Sequence, residues 1–275
     1  VQAMAADINR SGTVTSADAL NIARYSAQLL SAFPAGPWTQ DSTWVVADTA
    51  SSTHVHRILS TGDVNASFTP PPPSPCPTTT MTDIAGNLYP TLVIQNQCWM
   101  GSNLRTNRFR NGDLIPFPLT TSAWSGTVTT PAQALYNNDP NNDSLLGRLY
   151  NWYAVADSRG LCPTGWHVPS DAEWTTLTTV LGGVNLAGHA VKSTSGWASA
   201  GNGSNSSGFN GLPAGFRRET GVFEGINNHA YWWSSTGLSL TPANAYYRRA
   251  SFNASNLFRD NSLKRLGLSV RCVLD

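Results

Sequence analysis

The stretch CPTGWHVPSDAEW, residues 162–174, holds a cysteine, the end of an extended run and the start of a helix. Pro169 lacks the N–H a strand ladder needs and stops the run before it. Ser170 and Glu173 have the S-x-x-E spacing of a capping box, in which each side chain satisfies a backbone N–H that the first helical turn leaves open. Trp174, Leu177 and Leu181 then recur on one face, predicting a helix over 171–181. Short β-branched and aromatic runs surround it and predict strands at 91–94, 98–100, 231–234, 245–252 and 268–273. One capped helix among short strands and long polar loops predicts an α+β fold.

Composition narrows the function. Lys plus Arg is 17 and Asp plus Glu is 16, a formal net charge of +1. Such a balance leaves no basic footprint for nucleic acid and no polybasic membrane patch. Only 12% of residues are charged, about half the usual share of roughly 25%, so Ser, Thr, Asn and Gly must cover the surface. That habit suits an extracellular protein and close packing against other copies. Ten tryptophans are a heavy load; each one buried needs a partner for its indole N–H. Four cysteines fit two disulfides and an oxidising compartment, with three connectivities open. No apolar run approaches the roughly 18 residues of a membrane span. The chain opens at VQAMAADINR without an initiator Met or a signal-peptide pattern, so Val1 is expected to follow processing.

Three regions separate by composition. Residues 69–82, TPPPPSPCPTTTMT, read as a polyproline II spacer between residues 1–68 and a Gly-, Asn- and Trp-rich region at 83–275. The first region contains DINRSGTVTSAD, residues 7–18. Oxygen side chains stand at loop positions 1, 3, 5 and 12 (Asp7, Asn9, Ser11, Asp18), Gly12 takes the sharp turn, and Thr13 offers its carbonyl at position 7. This spacing wraps hard oxygen ligands around one point and predicts a structural calcium site, with the weak affinity of extracellular modules, roughly 10⁻⁴ to 10⁻³ M. With Asp rather than Glu closing the loop and no entering helix, the segment resembles one dockerin repeat. A second loop beginning at Gly62-Asp63-Val64-Asn65 lacks the later acids and the Gly at position 6.

The region from Asp83 resembles the Fibrobacter succinogenes major paralogous domain family, within the C-type-lectin-like and sulfatase-modifying-factor superfamily. The resemblance rests on IQNQCWMGSNLR (94–105), GRLYNWYAV (147–155), the opening stretch, GFNGLPAGFRR (208–218), YWWSST (231–236) and LSVRCV (268–273). It implies a C-type-lectin-like domain: a twisted antiparallel sheet, the helix at 171–181, long loops, and a last strand returning to the start of the domain. It also implies disulfides Cys162–Cys272 and Cys76–Cys98.

The same resemblance raises the question of chemistry. Sugar-binding C-type lectins use E-P-N or Q-P-D with W-N-D around calcium, and none occurs here. The cysteines read as structural rather than as the redox pair of formylglycine-generating relatives. His54 and His56 share a strand face but lack a third ligand, and His167, inside GWHVP, reads as a satisfied core residue. No nucleophile motif, P-loop or dinucleotide fingerprint is present. Trp152, Trp166 and Trp174 read as core. Tyr231, Trp232, Trp233, Tyr246 and Tyr247, with Arg217, Arg218, Arg248 and Arg249, have two readings. They form either a ligand or assembly surface, or core strands whose arginines pair with Glu219, Glu224 or Asp260; the second is preferred.

These features predict a non-catalytic extracellular bacterial surface protein. A structural subunit that self-associates into a fibre or surface layer comes first. A module recognising a glycan or a protein comes second, and a formylglycine-generating type of enzyme a distant third.

Overall fold

In the computed structural model, residues 45–47, 55–57, 76–117, 120–126 and 129–275 are described. The chain divides into two units, Val1–Pro73 and Ser74–Asp275. In the first, strand β1 (Val45–Ala47) pairs antiparallel with β2 (Val55–Arg57), placing Val46 opposite His56. The calcium-loop residues Asp7, Asn9, Ser11, Thr13 and Asp18, and His54, lie outside the described residues.

The second unit is β-rich. Its strands are β3 (Thr80–Thr82), β4 (Leu88–Ile94), β5 (Gln97–Met100), β6 (Gln133–Ala134), β7 (Leu149–Tyr150), β8 (Trp166–His167), β9 (Ala214–Arg217), β10 (Phe223–Ile226), β11 (His229–Gly237), β12 (Asn244–Ser251), β13 (Phe258–Leu263) and β14 (Val273–Leu274). They form one five-stranded sheet in the order β3-β4-β5-β14-β8, a second in the order β10-β9-β11-β12-β13, and a small β6-β7 ladder. Helical pieces are short: α1 (Thr121–Ser125), α2 (Asn141–Leu146), α3 (Trp152–Val155), α4 (Asp171–Val180) and α5 (Val184–Val191). The α+β expectation therefore overweights the helices. Composition assigns residues 76–82 to the spacer, yet Thr80–Thr82 pairs with Leu88–Pro90 and Cys76 is bonded to Cys98.

Helix α4 forms where the local signals place it. The Ser170 hydroxyl accepts from the Glu173 backbone N–H while the Glu173 carboxylate accepts from Ser170 N–H. The helix buries Trp174 and Leu177 against Trp99, Phe209 and Trp232, with ring centroids 4.8 Å (Trp99–Trp174) and 6.2 Å (Trp174–Trp232) apart. Five fully buried tryptophans (Trp99, Trp124, Trp174, Trp232 and Trp233) anchor the interior. Three of these indole N–H groups find buried acceptors: Trp174 donates to Trp233 O, Trp233 to Tyr150 O and Trp232 to Asn103 Oδ1. Trp166 is buried as expected, whereas Trp152 is only partly so.

The segment after Leu266 reads as one strand from its apolar residues, but it is a seam. Gly267 pairs with Arg217 of β9, Leu268 with Tyr150 of β7, Ser269 beside Trp232 of β11, and Val273 with Trp99 of β5 and His167 of β8. Only Val273–Leu274 is regular strand. Disulfides Cys162–Cys272 and Cys76–Cys98 fasten the seam and the entry to the domain, the same two pairs that the family resemblance implies.

Buried cations hold the loops. Arg271 is fully buried and donates to Asn103 Oδ1 and to the carbonyls of Met100, Phe209 and Asn210. The Lys192 ammonium donates to the carbonyls of Gly201, Ser251 and Ala254. Loops without their own ladder leave carbonyls that must be paired, and these cations reach several at once.

Candidate ligand-binding face

The second sheet has two unlike faces. Because side chains alternate along a strand, Trp232, Tyr246, Arg248 and Ala250 share one face, and His229, Tyr231, Trp233, Tyr247 and Arg249 the other. On the first face Trp232 packs beneath α4. Arg248, almost wholly buried, donates to Asp171 Oδ1 at 2.7 Å, and Arg259 pairs with the same carboxylate. Burial pushes the Asp171 carboxyl up, but the two guanidinium groups outweigh it and hold it below the usual carboxylate range. Tyr246, partly buried, lies under the Arg259 guanidinium, 3.9 Å from ring centroid to Cζ.

On the other face cover thins along the strands. Trp233 is fully buried and Tyr247 nearly so, in the core that includes Ala154 and Val155 of α3. One pair further on, Tyr231 and Arg249 are only partly buried, as are Phe216, His229, Phe252 and Phe258 around them. Tyr231 sits at 4.9 Å from Phe216, 5.6 Å from Tyr247 and 5.9 Å from His229, tilted or edge-on in every case. Arg249 lies over the Phe258 ring at 4.9 Å and has the Tyr231 hydroxyl as a polar neighbour. Its buried Nε has no hydrogen-bond partner among the described residues. Burial raises the Tyr231 phenol and lifts Tyr247 to about 12, the latter helped by Asp260 beside it. Burial, and then the charge of Arg249, lower the His229 imidazole below its ordinary range.

Of the residues singled out as a possible surface, Trp232, Trp233, Tyr247, Arg217 and Arg248 are therefore buried. An arginine beside a tryptophan gives no sequence cue to its depth, and the long-range packing decides it. Arg217 lies between the Trp124 and Phe223 rings, 4.6 Å from each, and donates to Gly221 O and Thr120 O. Of the acids expected to receive arginines, Glu224 takes Arg218, while Arg248 goes to Asp171. Tyr231 and Tyr247 do meet on one face, joined by Phe216, Phe258 and His229, which the sequence did not single out.

Two other places gather polar side chains. His167 is not core: it is partly exposed, with Nδ1 2.6 Å from Asp275 Oδ1 and Nε2 2.8 Å from Glu173 Oε1. The carboxylates face opposite ring nitrogens, so the three groups do not converge on one point as metal ligands would. A cleft of about 290 Å³ lies between Asp83, Thr106, Arg110 and Pro163. Its polar groups are already committed: Arg110 to the carbonyls of Cys162 and Trp166, and Asp83 to Tyr89 and Asn87.

A disulfide-stapled, β-rich domain with an aromatic sheet face is what the geometry defines. The sequence profile of the Fibrobacter succinogenes major domain matches residues 92–274, and the chain belongs to that family. No curated protein and no solved structure matches the chain. Among the described residues, no helix is long and apolar enough to cross a membrane.

Proposed function

We propose that this chain is a non-catalytic extracellular bacterial surface protein whose C-type-lectin-like domain works by binding, through the face around Tyr231. The observation that carries this reading is the half-open aromatic cluster of Phe216, Tyr231, His229 and Phe258, with Arg249 among them. Aromatic rings with an apolar body and a polar group at hand suit recognition of a partner from water. Two disulfides fit an oxidising compartment. The loop at Asp7, Asn9, Ser11, Thr13 and Asp18 supplies only hard oxygen donors, which suits structural calcium in the N-terminal segment.

Sequence places self-assembly first, and the edge strands keep it as a second reading. Among the described residues strand β3 has one neighbour; an edge of this kind accepts a strand from another chain. Charged Arg259 and Asp260 on the edge strand β13 work against pairing there.

The test is retention of the full chain on a panel of immobilised bacterial and plant polysaccharides, run beside sedimentation velocity. Tyr231→Ala abolishes retention with the fold intact if the face binds. Retention unchanged in Tyr231→Ala counts against it, and concentration-dependent growth of large species without any retention moves the assignment to an assembly subunit.

A further inference from the structure

We infer that Arg249 makes this face selective for acidic saccharides, the guanidinium receiving a uronate carboxylate while the neighbouring rings take the C–H faces of the sugar. This rests on the binding reading above and names its ligand class.

Among the described residues, no carboxylate forms an ion pair with Arg249; the arginines so engaged are Arg148, Arg159, Arg218, Arg248 and Arg259. Other buried cations of the domain answer to backbone carbonyls, as Arg271 and Lys192 do. Arg249 has instead the Phe258 ring, the Tyr231 hydroxyl and a buried Nε without a partner among the described residues. A guanidinium is a planar fork that fits a carboxylate through two parallel bonds. With Nε buried, a carboxylate reaches the fork only from its Nη end, beside the Tyr231 hydroxyl that also bonds to Arg249. Stacking on Phe258 fixes the plane of the fork beforehand, which lowers the ordering cost of binding.

The surroundings favour a sugar over a simple anion. Tyr231 meets Phe216 at an interplanar angle of 58° and His229 at 60°, so neither covers its ring face to face. Of the nearby carboxylates, Glu224 is held by Arg218 at 2.6 Å, and Asp260 lies opposite Tyr247 in the β12–β13 register and hydrogen-bonds with its phenol. His229 is occupied by the Ser251 hydroxyl at 3.0 Å.

Calorimetric titration of the full chain with oligogalacturonate, its methyl ester and polyglutamate separates the sources of carboxylate. Oligogalacturonate is expected to bind about tenfold or more tightly than either the ester or polyglutamate, as a lost charge-assisted bidentate contact predicts. Arg249→Gln is expected to lose that margin while Tm and circular dichroism stay near those of the parent. Arg249→Lys keeps the charge without the fork and falls between, and it serves as the test if the Gln variant does not fold. Equal binding of the ester overturns the acidic selectivity but leaves the glycan-binding reading standing. Equal binding of polyglutamate shows a site for bare carboxylates and overturns the saccharide. Binding of no saccharide here or on the polysaccharide panel overturns both.

Discussion

Arg271 donates its Nε–H to Asn103 Oδ1 at 2.8 Å in the fully buried centre of the domain, across 168 residues of sequence. The same oxygen accepts the Trp232 indole at 3.0 Å, and Asn103 Nδ2 donates to Leu146 O and Ser269 Oγ. One amide thus joins β11, the C-terminal seam and the segment after β5. Burial pulls the Arg271 pKa down from the usual arginine range, and the oxygens facing it are what make a buried cation tolerable.

Asn103→Ala leaves two buried donors without an acceptor, one of them charged. The expected loss is about 3–5 kcal/mol, read as a lower urea midpoint with an unchanged m-value. Ser269→Ala removes a single neutral contact and is expected to cost about 1 kcal/mol. Equal midpoints for the two variants would remove Asn103 from its central place.

The two disulfides close loops of different size. Cys76–Cys98 spans 22 residues and Cys162–Cys272 spans 110. If restriction of the unfolded chain dominates, the contributions are about 3 and about 5 kcal/mol. Paired Cys→Ala variants compared by guanidinium unfolding should therefore rank Cys162–Cys272 as the costlier loss. The reverse order would mean that anchoring the entry strand outweighs loop entropy.

His167 gives a pH signature. With a carboxylate at each ring nitrogen, both nitrogens must donate, which requires the imidazolium. Burial opposes the charge, but the bonds to Asp275 and Glu173 outweigh it, and the pKa is raised. Burial likewise opposes the Glu173 charge, while its bonds from Ser170 and His167 lower its pKa. The raised histidine contributes stability that is complete below its ordinary pKa, about 6.5, and lost as pH rises through the folded value. The lowered glutamate contributes above its ordinary value, about 4.3, and loses it as pH falls. The contact is therefore strongest between about pH 4.5 and 6.5. Wild-type Tm is expected to decline from pH 6 to 8 more than that of His167→Gln; parallel profiles would exclude the contact as the source. The groups are partly exposed, so the effect stays below about 1 kcal/mol.

What the sequence makes legible is local. The capping box and the Trp174–Leu177 stripe are short-range signals, and α4 follows them. Strands β4, β5, β11 and β12 are rich in aromatic and β-branched residues and read correctly to within a few residues. Strand β13, FRDNSL, has no apolar alternation and is held by pairing with β12. Helix α5 escapes notice because Gly182 and Gly183 precede it and Gly188 interrupts it. Yet a Cβ at Gly188 would lie 2.1 Å from Asn256 O, so that glycine is there for a close approach. In the candidate site, Tyr231 and Tyr247 were visible as aromatics in strand patterns. Which side they face depends on register with β12 and β13, a relation across the sheet that no single window contains. The partners of Arg217 and Arg248 were missed for the same reason.

Lys192 tests whether cations organise the loops. Its ammonium joins Gly201 O at 2.7 Å, Ala254 O at 3.0 Å and Ser251 O at 3.1 Å, drawing the segment at Gly201 to the end of β12 and the turn after it, and it sits over the Trp197 ring at 5.2 Å. Burial lowers its pKa, and the ring and three carbonyls are its compensation. Lys192→Met keeps the stem and removes the donors, leaving three carbonyls to find water or go unpaired. The expected cost is about 2–4 kcal/mol. Amide exchange should quicken first at Gly201–Ser204 and Phe252–Ala254, where the backbone has few ladder bonds, and least in β11, because opening is local where contacts are few. Uniform acceleration across the domain would mean instead that Lys192 supports the whole core and not the loops it touches.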